Sequence, residues 1–215
     1  MAVRYIAIEG VPGVGKTDLA RLLGERLNAR LVLEDAQENP FLPLFYEEPT
    51  HYGFQTQAFF LLSRYRQQQD LHQIDLLQSI VVSNYLFARD GIYAHVVLND
   101  EEVSLYERLA ESLQEKAPKP DLVLYLQDST AHLIQRIRRQ GPEYERLMTE
   151  AYLARLVEAY NHFFFHYAET PLLVANVSQV DFVNRQKDLE ALLRQISSPP
   201  AGTRYYRPMY AGAQP

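Results

Sequence analysis

Tyr5-Ile6-Ala7-Ile8-Glu9-Gly10-Val11-Pro12-Gly13-Val14-Gly15-Lys16-Thr17 is the stretch whose reading decides the fold. Its first part is a short apolar run of strand length. Its second part fits G-x-x-x-x-G-K-[ST], and residues 16–27 continue with helical periodicity. A strand that turns through this loop into a helix is the setting in which the motif binds phosphate. The glycines let the backbone turn tightly and approach an anion, while loop N–H groups and the helix N-terminus offer positive partial charge. In that setting Lys16 reaches the β- and γ-phosphates of a nucleotide and the Thr17 hydroxyl reaches Mg²⁺. The loop by itself does not separate a kinase from an ATPase, a GTPase or a switch protein.

Outward from the loop, short apolar runs alternate with longer amphipathic segments, the pattern of βα units around a buried parallel sheet. Strands are expected at 4–9, 30–34, 79–83, 121–126 and 172–176. Helices are expected at 16–27, 52–77, 100–116, 131–139, 149–167 and 185–196. Five strands in this series predict a doubly wound α/β fold. Residues 1–197 form one domain, and 198–215, rich in Pro, Gly and Tyr, form a C-terminal tail. Ile80, Val81 and Val82 belong to the core, and so does the Phe163-Phe164-Phe165 run, since neighbouring helical residues point in different directions.

The 215 residues carry a formal charge of −6, which argues against a nucleic-acid backbone as partner, and they contain no cysteine, which excludes disulfides and thiol chemistry. No run is long and apolar enough to suggest a membrane span or a leader, so the expectation is a cytoplasmic protein. The six histidines lack metal-ligand spacing.

The second predicted strand ends at Glu34, and ligands of open α/β sheets collect at the carboxyl ends of strands. A carboxylate there is placed to accept a proton from an attacking hydroxyl. From this point the sequence resembles the deoxynucleoside kinase family, above all its bacterial deoxyadenosine and deoxyguanosine kinase branch. The residues that carry the resemblance are Glu34 with Asn39-Pro40-Phe41-Leu42, Phe45-Tyr46, Gln57 with Phe60-Leu61 and Arg64, and Asp90 with Ile92-Tyr93-Ala94. Further on they are Pro120-Asp121-Leu122-Val123-Leu124-Tyr125-Leu126, Arg136-Ile137 with Gly141 and Glu145, and Val180-Asp181-Phe182. The resemblance spans roughly residues 3–195.

It implies a P-loop nucleoside kinase fold with a helical lid. It also implies transfer of the γ-phosphate of ATP, with Mg²⁺, to the 5′-hydroxyl of a purine deoxynucleoside in nucleotide salvage. Glu34, Lys16 and Arg136 are then catalytic. Gly10, Gly13, Val14, Gly15, Lys16, Thr17, Arg136, Asp181 and Phe182 bind ATP. Glu34, Tyr46, Gln57, Arg64, Asp90 and Glu145 bind the nucleoside: Gln57 the base, Arg64 and Asp90 as a pair bordering it, Tyr46 and Glu145 the 3′-hydroxyl. Thr17 and Asn84 hold the metal. A dimer is implied, with itself or with a homologue.

Two departures from the family stand out. Relatives carry an acid followed by Arg where this chain has Asn84-Tyr85, and often have lid arginines at the positions of Gln140 and Pro142. The first departure predicts a slower chemical step, relieved by restoring an acid and an arginine at those two positions. It also keeps open a low-activity regulatory subunit of a heteromeric kinase. A nucleoside monophosphate kinase is the third reading, disfavoured because Glu34, Asp35 and Glu38 would repel an acceptor phosphate.

Overall fold

A computed structural model of the chain describes residues 3–72, 80–114, 118–178 and 180–206. Strand β1 (Tyr5–Glu9) is buried along its whole length, as the central strand of a sheet covered on both faces must be. Ile6 pairs with Val82 of β3 (Val81–Ser83) on one side and with Leu122 of β4 (Leu122–Gln127) on the other. Strand β2 (Arg30–Val32) lies outside β3, and β5 (Leu172–Asn176) outside β4. The order is β2-β3-β1-β4-β5-β6, with every pairing parallel.

Among the described residues the sheet has six strands, where the sequence pattern predicts five. The sixth, β6 (Thr203–Tyr206), comes from the stretch set apart as a tail and pairs with β5, Leu172 opposite Thr203 and Ala175 opposite Tyr206. Its residues are largely exposed. An edge strand of this kind shows no apolar pattern to read, and pairing rather than burial defines it.

Helix α1 (Lys16–Leu27) begins directly after the loop and ends at Asn28, whose left-handed backbone (φ 48°) brings the Ala29 N–H to the Gly24 carbonyl at 2.8 Å. Helices α2 (Leu42–Glu47) and α3 (Pro49–His72) follow β2, and α4 (Asp90–Val97) and α5 (Asp100–Gln114) follow β3. Helix α6 (Thr130–Gln140) is capped by the Ser129 hydroxyl and α7 (Glu150–His166) by that of Thr149. Helix α8 (Gln186–Ser197) leads to β6. The short helices α2 and α4 are absent from the sequence expectation. Pro43 sits in the first turn of α2, while Gly91, Val96 and Val97 lower the helical propensity of α4. The expected helix residues 73–77, 115 and 116, and the strand start at 79, lie outside the described residues.

The main core joins the sheet to α1, α6, α7 and α8. Two smaller clusters fasten the helices beyond it: Leu61, Phe87, Ala94 and Tyr106 among α3, α4 and α5, and Leu42, Phe45 and Phe60 between α2 and α3. Within the aromatic run of α7, Phe164 is buried against Tyr125 while Phe165 faces outward. Among the described residues no helix is long and apolar enough to cross a membrane.

Candidate active site

The phosphate loop closes over the carboxyl end of β1. Gly13 (φ 80°) and Gly15 (φ 94°) adopt backbone conformations that L side chains rarely take. A Cβ on Gly13 would stand 2.7 Å from Ile137 Cγ1, and one on Gly15 3.1 Å from Arg136 Nη2. Lys16 Nζ lies across the loop, donating to the Gly10 carbonyl at 2.5 Å and the Val11 carbonyl at 3.2 Å. Burial and the nearby Arg89 charge outweigh the acids around it and bring its pKa down to about 8. Glu9 is buried at the base of the loop. One oxygen accepts from Gly10 N–H at 2.9 Å and the other from Leu86 N–H at 2.7 Å, so this carboxylate fastens the loop to the chain leaving β3.

Glu34 sits two residues beyond β2, and two arginines converge on it. Arg64 of α3 donates to Oε1, and Arg89, from the 3₁₀ turn Phe87–Arg89, donates to Oε2. Burial alone would raise the carboxyl pKa, but the charges and hydrogen bonds of the two guanidinium groups prevail and hold it at about 2. Both arginines are 3% exposed. Arg64 lies over the rings of Phe60 at 5.0 Å and Tyr85 at 5.8 Å, and Arg89 over Tyr93 at 5.5 Å. Asn84 is a bracket: its oxygen accepts from the Glu34 N–H at 2.8 Å and its amide nitrogen donates to the Thr17 hydroxyl at 2.9 Å.

These groups line a cavity of about 330 Å³ beside the loop, a size suited to a small ligand. Lys16, Thr17, Glu34, Tyr46, Gln57, Arg64, Asn84, Arg136 and Glu145 all border it. Gln57 is 3% exposed on the cavity wall. Tyr46 stacks on Tyr144 with ring centroids 6.2 Å apart, and Glu145 is close enough to raise the Tyr46 pKa further beyond the effect of burial. Burial also raises the carboxyl pKa of Glu145, against the pull of Lys16. Asn39 is structural: its amide donates to the Thr56 carbonyl and accepts from Phe41 N–H, fixing the turn into α2 against α3.

A second cavity, of about 700 Å³, opens on the other side of the loop and is bordered by Val14, Gly15, Arg136, Asp181 and Phe182. Arg136 borders both cavities, between the loop and the lid turn Tyr144–Leu147. Phe182 packs on Tyr206 of β6, ring centroids 5.9 Å apart. Gly10 borders neither cavity. Asp90 opens α4, and its side chain lies outside the described residues.

Over residues 6–199, which include this loop and the groups around both cavities, the chain matches the family model described as deoxynucleoside kinase. The chain belongs to the deoxynucleoside kinase family. The kinase is 28% identical over 197 residues to a deoxyguanosine kinase of Bacillus subtilis, covering 89% of this chain and 95% of the relative. It is 28% identical over 210 residues to a deoxyadenosine kinase of Lactobacillus acidophilus, covering 90% and 95%. In fold it matches the solved deoxyadenosine kinase of M. mycoides at a TM-score of 0.80 with 23% identity, over 90% of this chain and 99% of that one. The kinase is an ATP-dependent phosphotransferase that acts on deoxynucleosides.

Arg89 and Glu9 are the site groups that sequence reasoning passes over. Glu9 closes the loop's own strand, where a buried acid is a signal in itself. Arg89 adjoins Asp90, within one residue of a quoted match. Tyr85, by contrast, is fully buried and does not border the cavity. The position where relatives carry arginine is here a packing position.

Proposed function

We propose that this kinase transfers the γ-phosphate of ATP to the 5′-hydroxyl of a purine deoxynucleoside, as a step of cytoplasmic nucleotide salvage. The observation that carries the reading is Gln57: a buried amide on the wall of the smaller cavity. An amide offers a donor and an acceptor side by side, which suits a purine edge. The names of the bacterial deoxyguanosine and deoxyadenosine kinases it resembles support the same class.

In this reading the nucleoside occupies the smaller cavity. Gln57 meets the base, Arg64 and Asp90 border it, and Tyr46 and Glu145 hold the 3′-hydroxyl. ATP spans the loop and the larger cavity, with Gly10, Gly13, Val14 and Gly15 around its phosphates, Lys16 at the β- and γ-phosphates, Arg136 across them, and Asp181 and Phe182 toward the adenine. Glu34 orients the 5′-hydroxyl. As the O5′–Pγ bond forms, the bond from Pγ to the bridging oxygen breaks, its electron pair leaves with ADP, and the hydroxyl proton passes to Glu34. A carboxylate with a pKa near 2 is a weak base, so it aligns the hydroxyl and takes the proton late, once bond formation has made that proton acidic.

Thr17 fits a Mg²⁺ site, since its hydroxyl accepts one hydrogen bond from Asn84 and keeps a lone pair for a cation. Mg²⁺ bound there neutralises charge on the β- and γ-phosphates. Asn84 aims the hydroxyl, and its amide oxygen, which accepts the Glu34 N–H, keeps a second lone pair with which it would join Thr17 in holding the ion. The assembly in this reading is a dimer, which sedimentation would test.

The decisive experiment is a transfer assay with labelled ATP over the four deoxynucleosides, for the parent and for Gln57→Ala. A purine preference that Gln57→Ala weakens by about tenfold or more is expected, since a site built to hydrogen-bond a base discriminates by leaving groups unpaired. Equal efficiencies on all four, or an unchanged ratio in the variant, overturn the purine reading.

A further inference from the structure

The reaction needs positive charge on the transferring phosphoryl group, and the segment after β3 has Tyr85 where relatives place arginine. The chain turns at this point. Leu86 N–H is held by Glu9, Tyr85 is driven into the core, and the 3₁₀ turn Phe87–Arg89 carries the next arginine back over the sheet edge. There Arg89 lies among Glu9, Glu34 and Tyr93, its Nε 3.5 Å from Glu9 Oε1, and it borders the same cavity as Lys16. Its Nε is buried without a hydrogen bond among the described residues.

Burying a cation next to a second cation is unfavourable unless an anion stands between them or the surrounding carboxylates hold it. Glu9 divides its oxygens between two backbone N–H groups, and Glu34 divides its own between Arg64 and Arg89. Arg89 therefore keeps donors in excess of acceptors, at a point where the acceptor hydroxyl and the phosphate loop face each other.

We propose that Arg89 is a catalytic residue of this kinase, donating to peripheral oxygens of the phosphoryl group in flight and replacing, from four positions further along the chain, the cation missing at Tyr85. No bond to Arg89 forms or breaks; it meets charge as the phosphoryl group passes from ADP to O5′, while the proton goes to Glu34. The inference rests on the placement of the 5′-hydroxyl at Glu34 proposed above.

The test separates this role from that of a strut for Glu34. Single-turnover transfer is measured for the parent, Glu34→Gln, Arg89→Gln and the double variant, with stability and ADP affinity measured alongside. Arg89→Gln should slow transfer by about 10²- to 10³-fold and keep ADP affinity. It should slow transfer further in the Glu34→Gln background, although there it removes a stranded cation and restores stability. Arg89→Gln should also lose affinity for ADP with aluminium fluoride and nucleoside, a mimic of the transition state, by a similar factor.

If Arg89→Gln has no added effect beside Glu34→Gln, Arg89 acts only through Glu34 and the proposal falls. If Glu34→Gln itself transfers at the parent rate, it is the placement of the hydroxyl that fails. Should either Gln variant not fold, Arg89→Lys in the parent keeps the charge but not the fork. Unchanged fluoroaluminate affinity in that variant overturns the proposal, and at least a tenfold loss supports it.

Discussion

Restoring the family pattern at residues 84 and 85 should harm this kinase rather than quicken it, a reversal of the sequence expectation. Tyr85 is 0% exposed, and its ring stands 5.8 Å from the Arg64 guanidinium. An arginine in that place would lie about 6 Å from Arg64, a repulsion of roughly 3 kcal/mol at an effective dielectric constant of 20. The carboxylates within reach, Glu9 and Glu34, are already engaged. A buried charge without a partner costs about 3–5 kcal/mol, so Tyr85→Arg should destabilise by that order and lower Tm by roughly 6–20 °C for a chain of this size. Urea titration gives the first number and calorimetry the second. Adding Asn84→Asp supplies a carboxylate but removes the N–H that holds Thr17, so the double variant should transfer phosphate no faster than the parent in single turnover. A Tyr85→Arg protein within about 1 kcal/mol of the parent, or a faster double variant, would refute this account of the buried cluster.

Lys16→Ala should abolish transfer. In the parent, ADP affinity should hold steady below pH 8 and weaken above it, because Lys16 loses its charge through about that value in the free enzyme; calorimetric titration across pH 6.5–9.5 checks this. Glu34, depressed from 4.5 to about 2, contributes stability that is complete above pH 4.5 and lost as pH falls through 2, on the order of 3 kcal/mol. Urea midpoints along an acid series should show that slope and lose it in Glu34→Gln. Tyr206→Ala removes the ring behind Phe182 and should raise the KM for ATP several-fold while leaving the KM for nucleoside unchanged, a split that steady-state kinetics would reveal.

Much of the molecule is legible in residue order because the informative features are local. The phosphate loop, the continuous apolar strands β1, β4 and β5, and Glu34 beyond β2 each declare themselves within a few residues. What stays hidden depends on distant pairing. Strand β6 is a strand only because β5 lies beside it. Arg89 reaches Glu34 only because Tyr85 packs inward and the chain folds back, so comparing position 85 with relatives finds a missing cation and misses its neighbour. Asn84 reads as a metal ligand in sequence, and only the folded chain shows that its two hydrogen bonds also tie Thr17 to Glu34.

The place of β1 in the sheet also governs how the chain is made. It is made before its ladder partners, Val81–Ser83 and Leu122–Gln127, so the nascent phosphate loop hangs on an unpaired apolar strand until they follow. Contacts so far apart in the chain slow folding and leave such a strand open to wrong partners. The wall behind Phe182 comes later still, with Thr203–Tyr206. A chain released before that strand therefore carries the full loop sequence without the ring that backs Phe182.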